Sequence, residues 1–355
     1  MQATAYQSTR DHQWAAAHDA LFAAHGAGVE ISVSGLAQAN RKRPIEPLLV
    51  LLQTVMDAVA RLPHRRLRAL NKDTWQGIVG LLQRTNIFDA TTLQLPPSLR
   101  EWAPGIQADS AALKLHLCID GERGDFKKIL LTPAPGPDSP YMDALLGELE
   151  QQQGQIHVFD GGYWSIDRYH AIADSNNDFV TKRGGNIQPH MVQPLALPEA
   201  PLASGYTVLE DALVYLGDRE TLHYRMLRVR VTSDKEITLL SSLVNVPADH
   251  ICLLYRYRWT IEIVFRWLRQ TLELDHIMSY HPVGILRQIL TALITWGLLV
   301  IANQDPEKLS PKQLWRQLQA DLHQAVLEFG YYLGFQGAIQ ALGPDLCLAL
   351  DFTFR

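Results

Sequence analysis

ALKLHLCIDGERGDFKKILLTPA, residues 112–134, sets the fold class. Its first nine residues alternate with period two, and DFKKILLTPA gives a second strand after a turn supplied by Gly121 and Gly124. Asp120 and Asp125 flank that turn, where aspartate is expected for turn chemistry alone. Upstream, NIFDATTLQL (86–95) reads as a strand carrying Asp89. Downstream, SPYMDALLGELEQQQ (139–153) predicts a helix with Ser139 as N-cap and Pro140 at its first position. QIHVFDGGYW (155–164) predicts a strand ending at Asp160, SIDRYHAIADSN (165–176) a helix and DFVTKR (178–183) a further strand. The order β-β-β-α-β-α-β predicts an α/β fold, a mixed sheet flanked by helices.

The flanks have a different character. Residues 1–40 are Ala-rich and read as helical, followed by RKRP, an apolar helix at 45–60 and HRRLR. Between Arg41 and Arg84 there are nine Lys/Arg against three Asp/Glu. That basic stretch is either a solvated helix face or a DNA-backbone contact. Residues 186–251 open with Pro189, Pro194, Pro198 and Pro201 and continue with three strand-like segments, 206–217, 221–233 and 236–246, an all-β insertion. From about 252 the chain reads as helical.

Bulk properties exclude several classes. With 47% hydrophobic and 19% charged residues, 355 residues suffice for a large core. Cys118, Cys252 and Cys347 lack disulfide or metal spacing, which favours a reducing compartment. MQATAYQSTRDHQ has no apolar signal core. The apolar run 289–302 is shorter than the about 20 residues of a membrane span and reads as a buried helix. A cytoplasmic protein with no membrane partner is expected. The net charge of -5 means that any nucleic acid must be met by local patches.

One such patch is YRYRWTIEIVFRWLRQ, residues 255–270, with four arginines and one glutamate. At 100° per residue, Tyr255, Arg258, Glu262, Arg266 and Arg269 fall within roughly 80° on one stripe. Tyr257, Ile261, Val264 and Leu268 lie opposite, on the core side. Taken alone, the stripe is a chain of i,i+4 ion pairs, Arg258–Glu262 and Glu262–Arg266, contributing roughly 0.3–0.5 kcal/mol each. Asp89 and Asp160 change its meaning, because an acid beside Ile-Phe or Val-Phe is costly to bury unless paired or bound to a cation. Three carboxylates at one sheet edge suit hard cations such as Mg²⁺ or Mn²⁺. Two ions about 3.5–4 Å apart support an in-line phosphoryl displacement. The arginines then grip a polyanionic substrate.

These residues resemble the DDE transposases of bacterial insertion sequences, of the insertion-sequence-4 (IS4) group. The family signature of Tyr, two residues, Arg, three residues, Glu, six residues, Lys is matched by Tyr255, Arg258, Glu262 and then Arg269 in place of the lysine. FDATTL at Asp89 and DGGYW at Asp160 match the two aspartate elements. The resemblance spans about residues 80–302. It implies an RNase H-like core with the β-rich insertion between the second aspartate and the glutamate. The implied arrangement is a helical DNA-binding region at 1–80, the core at 81–185 and 252–302, the insertion at 186–251 and a helical region at 303–355. Asp89, Asp160 and Glu262 would be catalytic and hold two Mg²⁺ or Mn²⁺ ions. Tyr255, Arg258, Arg266 and Arg269 would contact DNA. The implied partners are double-stranded DNA, as terminal inverted repeats and target, and a second copy in a homodimeric synaptic complex.

Other residues stay open at this stage. Lys182 and Arg183 are either DNA contacts or a solvated loop end. Lys114 and His116 alternate onto the polar face of their strand. The insertion has no tryptophan to stack on a base, leaving Tyr206, Tyr215 or Tyr224; Trp259 and Trp267 read as core. The competing functions are a catalytically silent, transposase-derived DNA-binding protein and an RNase H-like nuclease.

Overall fold

The structure is a computed structural model that describes Gln38 and residues 41–62, 72–122, 124–147, 151, 153–199, 202–277 and 279–302. The helix expected in 1–40, the HRRLR segment and the C-terminal region 303–355 lie outside these residues, Gln38 apart. The described chain divides into two compact units, one with 41–62, 95–102 and 267–302, the other with 72–94 and 103–266.

The first unit is helical. Helix α1 (Glu46–Ala60) packs on α7 (Pro282–Ala302). Pro282 opens α7 well before the apolar run at 289, because proline is tolerated in a first turn. The helix is therefore longer than the short buried one expected. By length and composition it is able to cross a membrane, with mean hydropathy 1.8 over Pro282–Ile301. Half of that window is buried, and Gly297 lies against Val55 and Met56, where a Cβ would collide.

The second unit is built on a sheet. Helix α2 (Lys72–Leu82) leads into β1 (Thr85–Leu95), β2 (Ala111–Asp120) and β3 (Phe126–Pro133). Then follow α3 (Met142–Leu146), β4 (Ile156–Phe159), α4 (Ile166–Asp174), β5 (Asp178–Lys182), β6 (Pro189–Pro194), β7 (Thr207–Leu216), β8 (Tyr224–Thr232) and β9 (Lys235–Ser241). Helices α5 (Ala248–Tyr257) and α6 (Trp259–Arg266) complete it. The sheet has nine strands in the order β3-β2-β1-β4-β5-β9-β8-β7-β6. β1, β4 and β5 run parallel, as βα units require, while β9 joins β5 antiparallel and carries the insertion strands outward. The insertion thus continues the core sheet by hydrogen bonding along an open edge.

Both faces are covered. Phe88, Phe159 and Phe179 face one cluster with Tyr163, Tyr169 and Leu145, and Tyr169 stacks on Phe179 at 4.5 Å. Ile87, Val158 and Val180 alternate to the other face and are also fully buried. There α5 contacts β4 and β5, and none of its buried residues belongs to the first cluster.

Two local expectations are corrected. Ser139 does not cap a long helix: Ser139–Tyr141 is a 3₁₀ turn, α3 is only five residues long, and Gly147 with φ +68° ends it. β2 has no solvated face. It lies between β1 and β3 and is covered on both sides, so His116 is fully buried against Tyr141 and Thr132. Burial pushes His116 down to about 4, and Lys114 pairs with Asp138 at 2.7 Å.

Candidate active site

Asp89 shares a parity with Ile87, so β1 delivers it to the face covered by α5. Asp160 follows the last residue of the adjacent parallel strand β4, where it caps the 3₁₀ turn Gly161–Tyr163 and accepts from Gly161 N–H at 2.6 Å. Gly161 is required there because a Cβ would lie 2.9 Å from the Lys182 carbonyl. Arg168 pins the turn from behind: it binds Asp143 through two nitrogens, Ser139 Oγ and O, and the Tyr163 carbonyl. Lys182 at the end of β5 consequently lies beside Asp160.

Glu262 comes from the helical arm. The single amphipathic helix expected over 255–270 is broken twice. α5 and α6 meet at Arg258, where i,i+3 bonds link Arg258 N–H to Tyr255 O and Ile261 N–H to Arg258 O. Trp267–Thr271 is then π-helical, so a uniform 100° wheel fails beyond Arg266. Ile261, Val264 and Leu268 are buried as expected, whereas Tyr257 is only half-buried. Arg269 donates to Asp275 at 2.6 Å within the first unit. Arg266 does not pair with Glu262; its guanidinium lies 5.3 Å over the Trp259 ring. Trp259 itself is 51% exposed, correcting its reading as core. Trp267 rests near Trp296, with ring centroids 6.2 Å apart.

Arg258 joins the carboxylates. Its Nη2 donates to Glu262 Oε1 at 2.6 Å and its Nη1 to Asp89 Oδ2 at 3.3 Å, 169 residues apart in sequence. The guanidinium also lies 5.5 Å over the buried Tyr255 ring. Asp160 is close enough to act electrostatically on both Asp89 and Arg258. Burial raises Asp89 to about 6; the Ala90 N–H bond and Arg258 oppose that rise, and the like charges of Asp160 and Glu262 add to it. Burial works against the Arg258 charge, but Tyr255, Asp89, Glu262 and Asp160 outweigh it and its pKa moves up.

A cleft of about 830 Å³ opens beside these groups, with Asp89 outside its lining. Asp160, Glu262, Tyr255, Arg258 and Lys182 line it, together with Arg256, Lys235, Trp259 and Tyr206. Four cationic side chains therefore face two carboxylates, which is how a chain of net charge -5 presents a basic surface. Arg183 is exposed next to Lys182, and its backbone N–H is bound to Thr238 O. Lys235, at the β8–β9 turn, carried no sequence signal. Of the three tyrosines considered for base stacking, Tyr206 alone lines the cleft; Tyr224 is buried on His170 and Tyr215 stacks on His190.

The donor chemistry fits a hard divalent cation: the donors are carboxylate oxygens, and Asp89 carries a raised pKa that a cation would relieve. As placed, no three His, Cys, Asp or Glu side chains among the described residues gather closely enough to hold a metal. A guanidinium spans two of the carboxylates.

Comparison with known proteins gives the family. A model described as "Transposase DDE domain" matches residues 81–298. The chain is 28% identical over 272 residues to the putative transposase y4zB of Sinorhizobium fredii (strain NBRC 101917 / NGR234), covering 75% of this chain and 70% of that protein. It is 25% identical over 213 residues to the probable transposase for insertion sequence element IS5377 of Geobacillus stearothermophilus, covering 60% and 55%. It is 24% identical over 250 residues to the transposase for insertion sequence element IS231F of Bacillus thuringiensis subsp. israelensis, covering 55% and 51%. The chain thus spans little more than half the length of the last two. By this match and by its mixed sheet flanked by helices, the chain belongs to the transposase DDE domain family, as a DNA transposase of the IS4 type with the divalent-metal dependence of that family.

Proposed function

We propose that this transposase cleaves DNA at transposon ends and joins them to target DNA, with Asp89, Asp160 and Glu262 as its metal-binding catalytic carboxylates. The observation that carries the reading is the convergence of Asp89 and Glu262 on Arg258, with Asp160 acting on both Asp89 and Arg258, beside a basic cleft. When bound, two Mg²⁺ or Mn²⁺ ions would activate the attacking oxygen and stabilise the leaving oxygen. Water loses a proton as its oxygen attacks the scissile phosphorus, and the departing 3′-oxygen takes up a proton. In the second step that 3′-hydroxyl gives up its proton and attacks a target phosphorus, displacing the target's own 3′-oxygen.

The side chains of the region divide the work: Arg258, Lys182, Tyr255 and Trp259 line the cleft, and Arg266, Arg183 and Arg269 act outside that lining. Arg258, Arg266, Lys182 and Arg183 supply phosphate contacts, with Arg258 as a planar fork suited to bidentate binding. Arg269 belongs to the other unit, where it pairs with Asp275, and its contact with DNA is proposed apart from the cleft. Tyr255 backs Arg258 and holds the DNA end against it. Trp259 offers an exposed ring for a base, in the same cleft as the insertion residue Tyr206. Recognition of the terminal inverted repeats is assigned to residues 1–80, and pairing of two chains on two ends to a homodimer. Such work on chromosomal DNA places the protein in the bacterial cytoplasm, with the nucleoid.

The test is a cleavage assay on a labelled transposon end with Mg²⁺. Glu262→Gln is expected to lower cleavage by about 10³-fold, roughly 4 kcal/mol of barrier, with DNA binding retained. Cleavage that survives this change defeats the assignment. Hydrolysis without any strand-transfer product would instead mark a nuclease.

A further inference from the structure

The way Arg258 is bonded distinguishes it from the other buried arginines of the sheet unit. Arg168 uses Nε, Nη1 and Nη2, all hydrogen-bonded, and Arg225 does the same on Asp211 and the carbonyls of Val244 and Val246. Arg258 touches each of its two carboxylates through one nitrogen, one of them at 3.3 Å, and its Nε is buried without a partner. A fork that could bind two oxygens side by side is stretched between two separate acids. Its side chain is 13% exposed and borders the cleft, and Glu262 is 37% exposed.

We propose that Arg258 is an internal counter-cation: in the DNA-free protein it holds the place of a metal ion between Asp89 and Glu262, and a DNA phosphate draws it away. This rests on the reading of these acids as metal ligands. A phosphate satisfies the guanidinium with two parallel N–H bonds, which the carboxylates here do not. Its departure leaves two like-charged carboxylates, one of them largely buried, that then require a cation. DNA-end binding and metal loading are thereby coupled, and by reciprocity each strengthens the other by the same factor, typically about 5–150-fold. The protein in consequence binds metal weakly until its substrate is in place.

The experiment is Mn²⁺ binding to the full DNA-free chain, followed by calorimetry and by the electron paramagnetic signal of free Mn²⁺, with melting in and out of Mn²⁺. Arg258→Ala is expected to tighten Mn²⁺ binding about 10-fold or more, to melt lower than the parent without metal and to gain more on adding it. Arg258→Lys, which keeps the charge but loses the two-point bridge, is expected to show a smaller gain and decides the question if the alanine variant does not fold. Unchanged or weaker Mn²⁺ binding in the Arg258 variants, with Glu262→Gln still weakening it, overturns the counter-cation and leaves the metal site standing. If Glu262→Gln and Asp89→Asn leave Mn²⁺ affinity untouched even in Arg258→Ala, the metal-site reading itself falls, and the counter-cation with it.

Discussion

The insertion and the helical arm of the candidate site each set an arginine against an aspartate, and the two are bonded in opposite ways. In the insertion, Arg225 meets the fully buried Asp211 as a bidentate fork at 2.6 and 2.8 Å and ties β7 and β8 to the carbonyls leading into α5. Loop 202–206 is clamped onto α5 as well, by Asp249 accepting from Ala203 and Ser204 N–H and by Arg256 donating to Ser204 O. Each guanidinium nitrogen of Arg225 has a partner, as expected of a pair that fixes geometry. At the candidate site Arg258 is shared between acids that also repel each other, and burial holds Asp89 at about 6. A saturated pair is a support, whereas an unsaturated one is poised for exchange.

Substitutions break that comparison with graded effects. Arg225→Met leaves Asp211 charged and buried, so unfolding free energy is expected to fall by about 3–5 kcal/mol in urea titrations. Arg258→Met is expected to lose only about 1 kcal/mol, because Arg258 holds each acid through a single hydrogen bond and Glu262 is 37% exposed. Equal losses at the two sites would erase the distinction.

Asp89→Asn sharpens it through pH. The fold raises Asp89 from 3.8 to about 6, so it favours the protonated form. The stability this contributes is fully present below about pH 3.8 and lost as pH rises through 6. In EDTA, the asparagine variant is expected to be more stable than the parent at pH 8 by up to about 3 kcal/mol, with the difference vanishing near pH 3.5. Melting curves across that range check both sign and window.

Trp259→Ala removes an exposed ring. Melting is expected to change within about 0.5 kcal/mol, while transposon-end affinity drops by about 1–3 kcal/mol in a binding titration. Lys182→Ala has the smallest effect: the slope of log affinity against log salt becomes shallower by about one.

Much of this was legible in the residues. The period-two run at 112–120 and the strand and helix order fixed the class of sheet, because backbone periodicity and turn glycines are local properties. The spacing of Tyr255, Arg258 and Glu262, with Asp89 interrupting one apolar strand and Asp160 following another, picked out residues that lie near one another. The sequence was silent or misleading where neighbours distant in the chain decide the outcome. His116 alternates like a solvated residue but is sealed by the strands on either side of β2. Trp259 looks like core by residue type but lies outside, because at 100° per residue it falls beside the polar stripe of Arg258, Glu262 and Arg266. The insertion reads as a separate β unit, yet the open edge of β5 recruits β9 by hydrogen bonding. Composition, element type and the chemical identity of the site thus belong to the sequence by itself. The partner of each charge, including the one guanidinium shared by Asp89 and Glu262, was decided only by tertiary structure, because ion pairing depends on distance and burial in space.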